Sequence, residues 1–232
     1  SIMCGKSLRA GAVSAVKHVM NPVTLCKKIM DDNRFVFLTG DGAEEFALLN
    51  EVPLVPNSYF STQYRLDQFK LAHDADVVSL DHGEDEHGTV GAVALDIHGN
   101  LASATSTGGL TNKVFGRVGD TPIIGAGTYA NNDSCAISCT GKGEFYIKHV
   151  VANSISCLMK YKGLSLKDAY KDVIDKDFYE SGGRGGIVGI DKNGNIELLF
   201  NTDGMYRGFI SSENENFNVG IYKGKLKSFE TV

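Results

Sequence analysis

Apolar residues recur at three- and four-residue spacing at Leu8, Ala12, Ala15, Val16 and Val19, the pattern of a single helical stripe, so residues 1 to about 50 read as mainly helical. Asn21-Pro22 interrupts that stripe, and Pro22 suits the first turn of a second helix running through Leu25, Ile29 and Met30. Phe35 to Leu38 is a short apolar run fit for a buried strand, and Gly40-Asp41-Gly42 reads as a turn. Tyr64, Leu66, Phe69 and Leu71 give residues 57–75 a helical rhythm, whereas the charged run Asp81 to Gly88 has no apolar anchor and reads as a mobile linker. Beyond it the period changes. Val90 to Asp96 and Leu101 to Thr107 flank His98-Gly99-Asn100 as a hairpin, and Ser134 to Thr140 is a further strand. From Phe145 through Val150, Val151, Ile155, Leu158 and Met159 the spacing predicts one long amphipathic helix, with a second over Leu164 to Ile174. Ile187 to Ile190 and Ile196 to Phe200 surround Lys192-Asn193-Gly194 as another hairpin.

Strands, then helices, then strands point to the α+β class, with sheets under segregated helix layers rather than alternating βαβ units. Composition narrows the function classes. The 232 residues carry 23 basic and 28 acidic side chains, a net charge of −5, which argues against a nucleic-acid groove or an anionic-membrane patch. No apolar run approaches the ~18 residues of a membrane span, and no secretory leader opens the chain. Glycine is in excess, 27 residues, yet neither periodic nor paired with proline. Cys4, Cys26, Cys135, Cys139 and Cys157 are odd in number and form no CxxC pair, so a reducing, cytoplasmic setting fits better than a disulfide framework or a zinc site.

Several chemistries lack their signals: there is no GxSxG, HExxH or strand-borne GxGxxG. Gly5-Lys6-Ser7 resembles only the end of a Walker A loop, and the six histidines show no metal spacing. Gly88-Thr89 is the unusual feature, because a charged segment ends in glycine and a threonine opens a strand. Threonine is a weak nucleophile that needs a base, and an N-terminal threonine carries one in its own α-amine, of pKa ~7.7–8. Cleavage of the Gly88–Thr89 bond would create that amine. On its own Thr89 reads as only the first residue of a strand. Thr105, Ser106 and Thr107 end the neighbouring strand, Thr140-Gly141 can pair a hydroxyl with a backbone N–H, and Arg117 and Asp120 can grip a carboxylate and an ammonium. Strand propensity and a surface ion pair account for the same residues, and spacing leaves both readings open.

The run HGTVGAVALDIHGNLASATSTGGLTNKVFGRVGDTPIIGAGTYANN, from His87 to Asn132, resembles the signature of plant-type L-asparaginases, the isoaspartyl peptidases of the N-terminal-nucleophile hydrolase superfamily. SCTGKGE, FNTDGMYRG, SLRAGAVSAVKHVMNP and TGDGAEEF resemble further family blocks, so the likeness covers nearly the whole chain. It implies an αββα four-layer sandwich and a precursor that cleaves itself at Gly88–Thr89, giving an α part (1–88) and a β part (89–232). It implies Thr89 as nucleophile, Thr107 as its hydrogen-bond partner, and Thr140 and Gly141 as oxyanion hole. It further implies Arg117 and Asp120 on the substrate's α-carboxylate and α-amine, and Gly143 as a backbone contact. The expected substrates are L-asparagine and β-aspartyl (isoaspartyl) dipeptides. The expected partners are the α and β chains with each other and a second αβ unit in a homodimer.

No cofactor or metal is expected in the chemistry. The resemblance places a structural sodium loop, with a first strand and a helix, in a segment upstream of Ser1 that this sequence does not contain. Two alternatives stand beside the self-processing amidohydrolase. One is a glycosylasparaginase-like enzyme, against which Gly88 before Thr89 and Ser106-Thr107-Gly108-Gly109 in the loop both speak. The other is a remnant that keeps the fold but never matures.

Overall fold

The computed structural model describes residues 1–78 and 88–230. Strands β1 (Ile2–Cys4) and β2 (Ala10–Ser14) open the chain, followed by helix α1 (Pro22–Asp32), strand β3 (Phe37–Thr39) and helices α2 (Gly40–Leu49) and α3 (Gln63–Asp74). Then come β4 (Thr89–Leu95), β5 (Leu101–Thr107), β6 (Thr128–Ala130) and β7 (Cys135–Gly141). Helices α4 (Gly143–His149), α5 (Val151–Lys162), α6 (Leu166–Val173) and α7 (Lys176–Glu180) precede β8 (Gly185–Asp191) and β9 (Ile196–Phe200). Strands β10 (Gly204–Ser211), β11 (Asn214–Tyr222) and β12 (Lys227–Phe229) finish it. The result is a mixed α/β structure with three sheets, ordered β3-β2-β1-β5-β4, β6-β7-β8-β9 and β10-β11-β12.

Residues 8–19 are not helical. They form the β1–β2 hairpin and its approach to α1, with Leu8 and Ala15 in the left-handed region. The apolar spacing there was compatible with a helix, but tertiary pairing overrides it: β1 bonds β2 on one side and β5 on the other. Gly11 permits the packing, because a Cβ there would lie 1.9 Å from the Cys26 carbonyl oxygen of α1. The helix at Pro22 is as expected: Asn21 caps it by accepting from the Thr24 N–H, and Asn33 ends it in the left-handed region. Gly40-Asp41-Gly42 is not a turn but the opening of α2, entered from an extended Thr39. Gly5-Lys6-Ser7 lies in the β1–β2 turn with no helix behind it. Of the expected linker only Gly88 falls within the described residues.

The long helix expected from Phe145 is two helices broken at Val150, which sits at φ 47°, ψ 47°. The break has a use. It frees the N–H groups of Ala152 and Asn153 to bond the carbonyls of Ala126 and Gly125, tying α5 to the loop before β6. The three-stranded sheet β10-β11-β12 was not among the elements expected, although Phe217, Val219 and Ile221 alternate as a strand should.

Apolar cores lie on the outer faces of the two larger sheets. Val13 packs with Leu25, Cys26 and Ile29 of α1 and Phe46 of α2, while Ile137, Cys139 and Ile187 pack under Tyr146, Ile155, Leu166 and Phe178. Between those sheets the contact is partly polar, and several hydroxyls there are bonded. Ser103 Oγ donates to the Ile137 carbonyl at 2.7 Å, and the Thr105 and Ser138 hydroxyls meet at 2.7 Å. Thr128 Oγ1 donates to Thr105 Oγ1 at 2.5 Å. Such paired groups cost little to bury and fix how one sheet lies on the other. At Gly91 the approach is closest, since a Cβ there would sit 2.0 Å from Ser138 Oγ.

Candidate active site

The hairpin β4–β5 sets the first part of the site. Its antiparallel register puts Thr89 opposite Thr107, Gly91 opposite Thr105 and Leu95 opposite Leu101. The turn that fixes this register is closed by Asp96, whose carboxylate accepts from the His98 and Asn100 N–H groups, with Gly99 at φ +75°. Because side chains alternate across a strand, Thr89 and Gly91 share the face that looks toward β7. The Thr89 and Thr107 hydroxyls then meet at 3.3 Å, with Thr89 donating to Thr107.

A cleft at this end of the hairpin is lined by Gly88, Thr89, Thr107, Gly109, Arg117, Asp120 and Gly141, so the structure brings together most of the residues singled out in the sequence. A second cavity, reaching between the sheets toward β10, is lined by Thr89, Gly91, Ser138, Thr140 and Met205. Thr140 thus meets Thr89 across this second cavity, whereas Gly141 lines the first. Both end β7, where Thr140 pairs with Gly186 and Gly141 with Gly185. Gly141 stands at φ +150°, and a Cβ there would sit 2.3 Å from the Arg184 carbonyl oxygen. Thr140 Oγ1 is buried with no hydrogen-bond partner among the described residues.

Arg117 and Asp120 come from the glycine-rich loop between β5 and β6. Asp120 is only 5% exposed, and its Oδ2 is likewise unpartnered among the described residues. Burial pushes its carboxyl up to about 7, with Glu144 acting in the same direction and the Arg117 guanidinium and the Asp120 and Thr121 N–H groups opposing. Gly143, the first residue of α4, lies against this pair: a Cβ there would be 2.7 Å from Asp120 Oδ1 and 3.1 Å from an Arg117 terminal nitrogen. Its part in the geometry is the absence of a side chain, which lets carboxylate and guanidinium converge.

Glu144 is the residue sequence reasoning missed. Its carboxylate takes Arg117 Nε at 2.8 Å and Nη2 at 3.0 Å, and this charge-assisted pair holds the Glu144 carboxyl below the usual range. Its place at the end of the SCTGKGE run was the available signal. The thiol nearest the site, Cys139, is fully buried and pushed well up by that burial, which leaves it unsuited to attack. No group of three His, Cys, Asp or Glu side chains among the described residues is placed to hold a metal ion, and no described helix is long and apolar enough to cross a membrane.

The sequence model of the asparaginase family matches residues 1–221. The chain belongs to that family. It is 46% identical over 230 residues to the isoaspartyl peptidase of Escherichia coli (strain K12), covering 97% of this chain and 71% of that protein. It is 42% identical over 263 residues to a putative isoaspartyl peptidase/L-asparaginase of Dictyostelium discoideum, covering 96% of this chain and 75% of the relative. Against the isoaspartyl peptidase/L-asparaginase of Bos taurus the identity is 42% over 208 residues, with 88% and 66% covered. In this member of the family a threonine at a strand start lines one cleft with an ion-paired arginine and a buried aspartate.

Proposed function

We propose that the protein is a self-processing amidohydrolase that converts L-asparagine to L-aspartate and ammonia and hydrolyses β-aspartyl dipeptides. The observation that carries this is one cleft holding Thr89 with its hydroxyl partner Thr107, beside Arg117 and a buried Asp120 whose Oδ2 has no partner among the described residues. Two opposite charges side by side suit the α-carboxylate and α-ammonium of an amino acid, and the names of the relatives point to the same substrates. A ligand lacking either group loses one of the two contacts, which favours β-linked over ordinary α-linked peptides.

In this reading the Gly88–Thr89 bond is cleaved first, dividing the chain into an α part (1–88) and a β part (89–232). Thr89 Oγ1 then attacks the side-chain carbonyl carbon of the substrate, and the freed α-amine of Thr89 takes the hydroxyl proton. Thr140 Oγ1 and the Gly141 N–H stabilise the oxyanion. The amine passes the proton to the leaving ammonia or amino acid as the C–N bond breaks, and water hydrolyses the resulting ester. Thr107 holds the nucleophile's hydroxyl in line.

The parts would remain together after cleavage: β1, β2 and β3, all before Gly88, lie in the same sheet as β4 and β5. The architecture we read is an αββα four-layer sandwich. It is supported by α1 and α2 on one sheet and α4–α6 on the other, with the hydroxyl contacts between them. By resemblance, two such units pair.

The test is a denaturing gel with N-terminal sequencing alongside ammonia release from L-asparagine. The expected result is two fragments, the larger beginning at Thr89, with hydrolysis appearing as they form, and for Thr89→Ala one uncleaved, inactive chain. Hydrolysis of asparagine by protein in which Thr89 is still internal would overturn the reading. A chain that stays whole and inactive would favour the remnant.

A further inference from the structure

Glu144 has no part in the reaction just described, yet it makes a two-bonded ion pair with Arg117, which lines the cleft. It occupies one edge of the Arg117 guanidinium, Nε and Nη2, with side-chain exposures of 17% for Arg117 and 50% for Glu144. Glycines border the same guanidinium elsewhere. A Cβ at Gly119 would lie 2.9 Å from Nη1 and 3.3 Å from Cζ, and one at Gly143 would lie 3.1 Å from Nη2. Among the described residues no hydrogen bond is made by Nη1. The fork therefore has one edge filled and its other edge, Nη1 with the second N–H of Nη2, left for a ligand.

We propose that Glu144 is a positioning residue that fixes the rotation of the Arg117 guanidinium, so that its second edge receives the α-carboxylate of the substrate through two parallel hydrogen bonds. The inference rests on the functional reading above. An arginine side chain free to rotate would have to be ordered by each ligand that binds, and Glu144 removes that cost beforehand. It also offsets the Arg117 charge, so that a bare anion gains less than a zwitterion whose ammonium meets Asp120. A competing geometry, in which the ligand must displace Glu144 from Arg117, predicts the opposite effect of removing it.

The experiment uses the self-processed full chain, with the inhibition constant of the product L-aspartate and kcat on saturating L-asparagine. In Glu144→Gln the inhibition constant is expected to rise at least tenfold while kcat stays within about threefold, because the bond-making groups are untouched. In Arg117→Lys, which cannot present a planar fork, adding Glu144→Gln is expected to change the constant less than twofold, since the glutamate acts through the guanidinium. An unchanged or lowered constant in Glu144→Gln overturns the inference, as does an equal loss in the Arg117→Lys background, which would mark a merely structural role. If the unsubstituted chain neither hydrolyses asparagine nor binds aspartate, the functional reading falls and this inference with it. If it does both while Glu144→Gln behaves like it, only the inference falls.

Discussion

Asp120 is the group for which site chemistry and fold stability pull apart, and the size of that conflict follows from its surroundings. Its carboxyl is pushed from an ordinary 3.8 to about 7, mainly by burial, and the charged or titratable groups that face it are Arg117, Glu144, Cys139 and Tyr146. Between those two values the folded chain binds more protons at this site than the unfolded chain does. Stability must therefore fall as pH rises through that window and level off above about 7. A shift of roughly three pH units corresponds to about 4 kcal/mol at most, of which roughly half to two thirds is lost between pH 5 and 8. Asp120→Asn keeps the shape and removes the titration. It leaves a buried amide N–H unpaired at a cost of ~1–3 kcal/mol, but that cost does not vary with pH and cancels from the comparison. For a chain of 232 residues the pH-dependent part amounts to about 5 °C in Tm. The assay is thermal unfolding of the two proteins from pH 5 to 8, both carrying Thr89→Ala so that each melts as one chain. The variant should gain about 5 °C on the parent across that range, and Asp120→Asn with Thr89 intact should lose aspartate binding once processed. Two melting curves that stay parallel within 1 °C would refute the reasoning, because histidines and other groups titrating there are common to both.

Thr107→Val keeps the size of the side chain but removes the hydroxyl that meets Thr89 at 3.3 Å, and should lower kcat about tenfold or more with little change in KM, read from steady-state kinetics. Gly143→Ala places a methyl 2.7 Å from Asp120 Oδ1 and 2.8 Å from the Asp120 nitrogen, and is expected to raise KM for asparagine at least tenfold and to cost ~1–3 kcal/mol in denaturant unfolding. Gly91→Ala drives a methyl to 2.0 Å from Ser138 Oγ and should destabilise by ~1–3 kcal/mol or more, with loss of activity, since the shifted strand carries Thr89 two residues away.

What the sequence made legible was local. The hairpin carrying Thr89 and Thr107 follows from alternation and from the Asp96–Asn100 turn, and the register falls as the pattern requires because one face must look inward. Likewise α1 announces itself through Asn21 and Pro22, and α6 through the apolar spacing between Leu164 and Ile174. The errors lie where distant segments decide. Residues 8–19 carry helix-compatible spacing, but β5 offers β1 a strand edge that no short window of sequence reveals. The break at Val150 depends on carbonyls of Gly125 and Ala126, some 25 positions upstream. Glu144 escaped notice for the same reason. Its meaning comes from Arg117, 27 positions away, and at the start of a helix a glutamate ordinarily needs no explanation beyond the helix dipole.

The pattern of satisfied and unsatisfied groups separates the site from the scaffold more sharply than residue type does. Thr105, Thr128 and Ser138 are buried hydroxyls of the same kind as Thr140, lying on the same facing sheets, and each has a partner within 2.7 Å. Thr140 Oγ1 and Asp120 Oδ2 have none among the described residues, and Tyr146, whose ring would lie 2.7 Å from a Cβ at Gly141, leaves its hydroxyl unpaired as well. Leaving buried polar atoms unpaired costs ~1–3 kcal/mol each, and the fold avoids that a few residues away on the same strand. Tyr170, out among the helices, shows that an unpaired group is not by itself a mark of function. The distinguishing feature is convergence: two of the four such atoms among the described residues, from a loop and a strand end, belong to residues that line cavities sharing Thr89. Under the function proposed above, a ligand that satisfies both brings a hydrogen-bond donor such as an ammonium to Asp120 and an oxygen acceptor to Thr140, with a carbon between them within reach of the Thr89 hydroxyl, and an amino acid bearing a side-chain amide meets those demands.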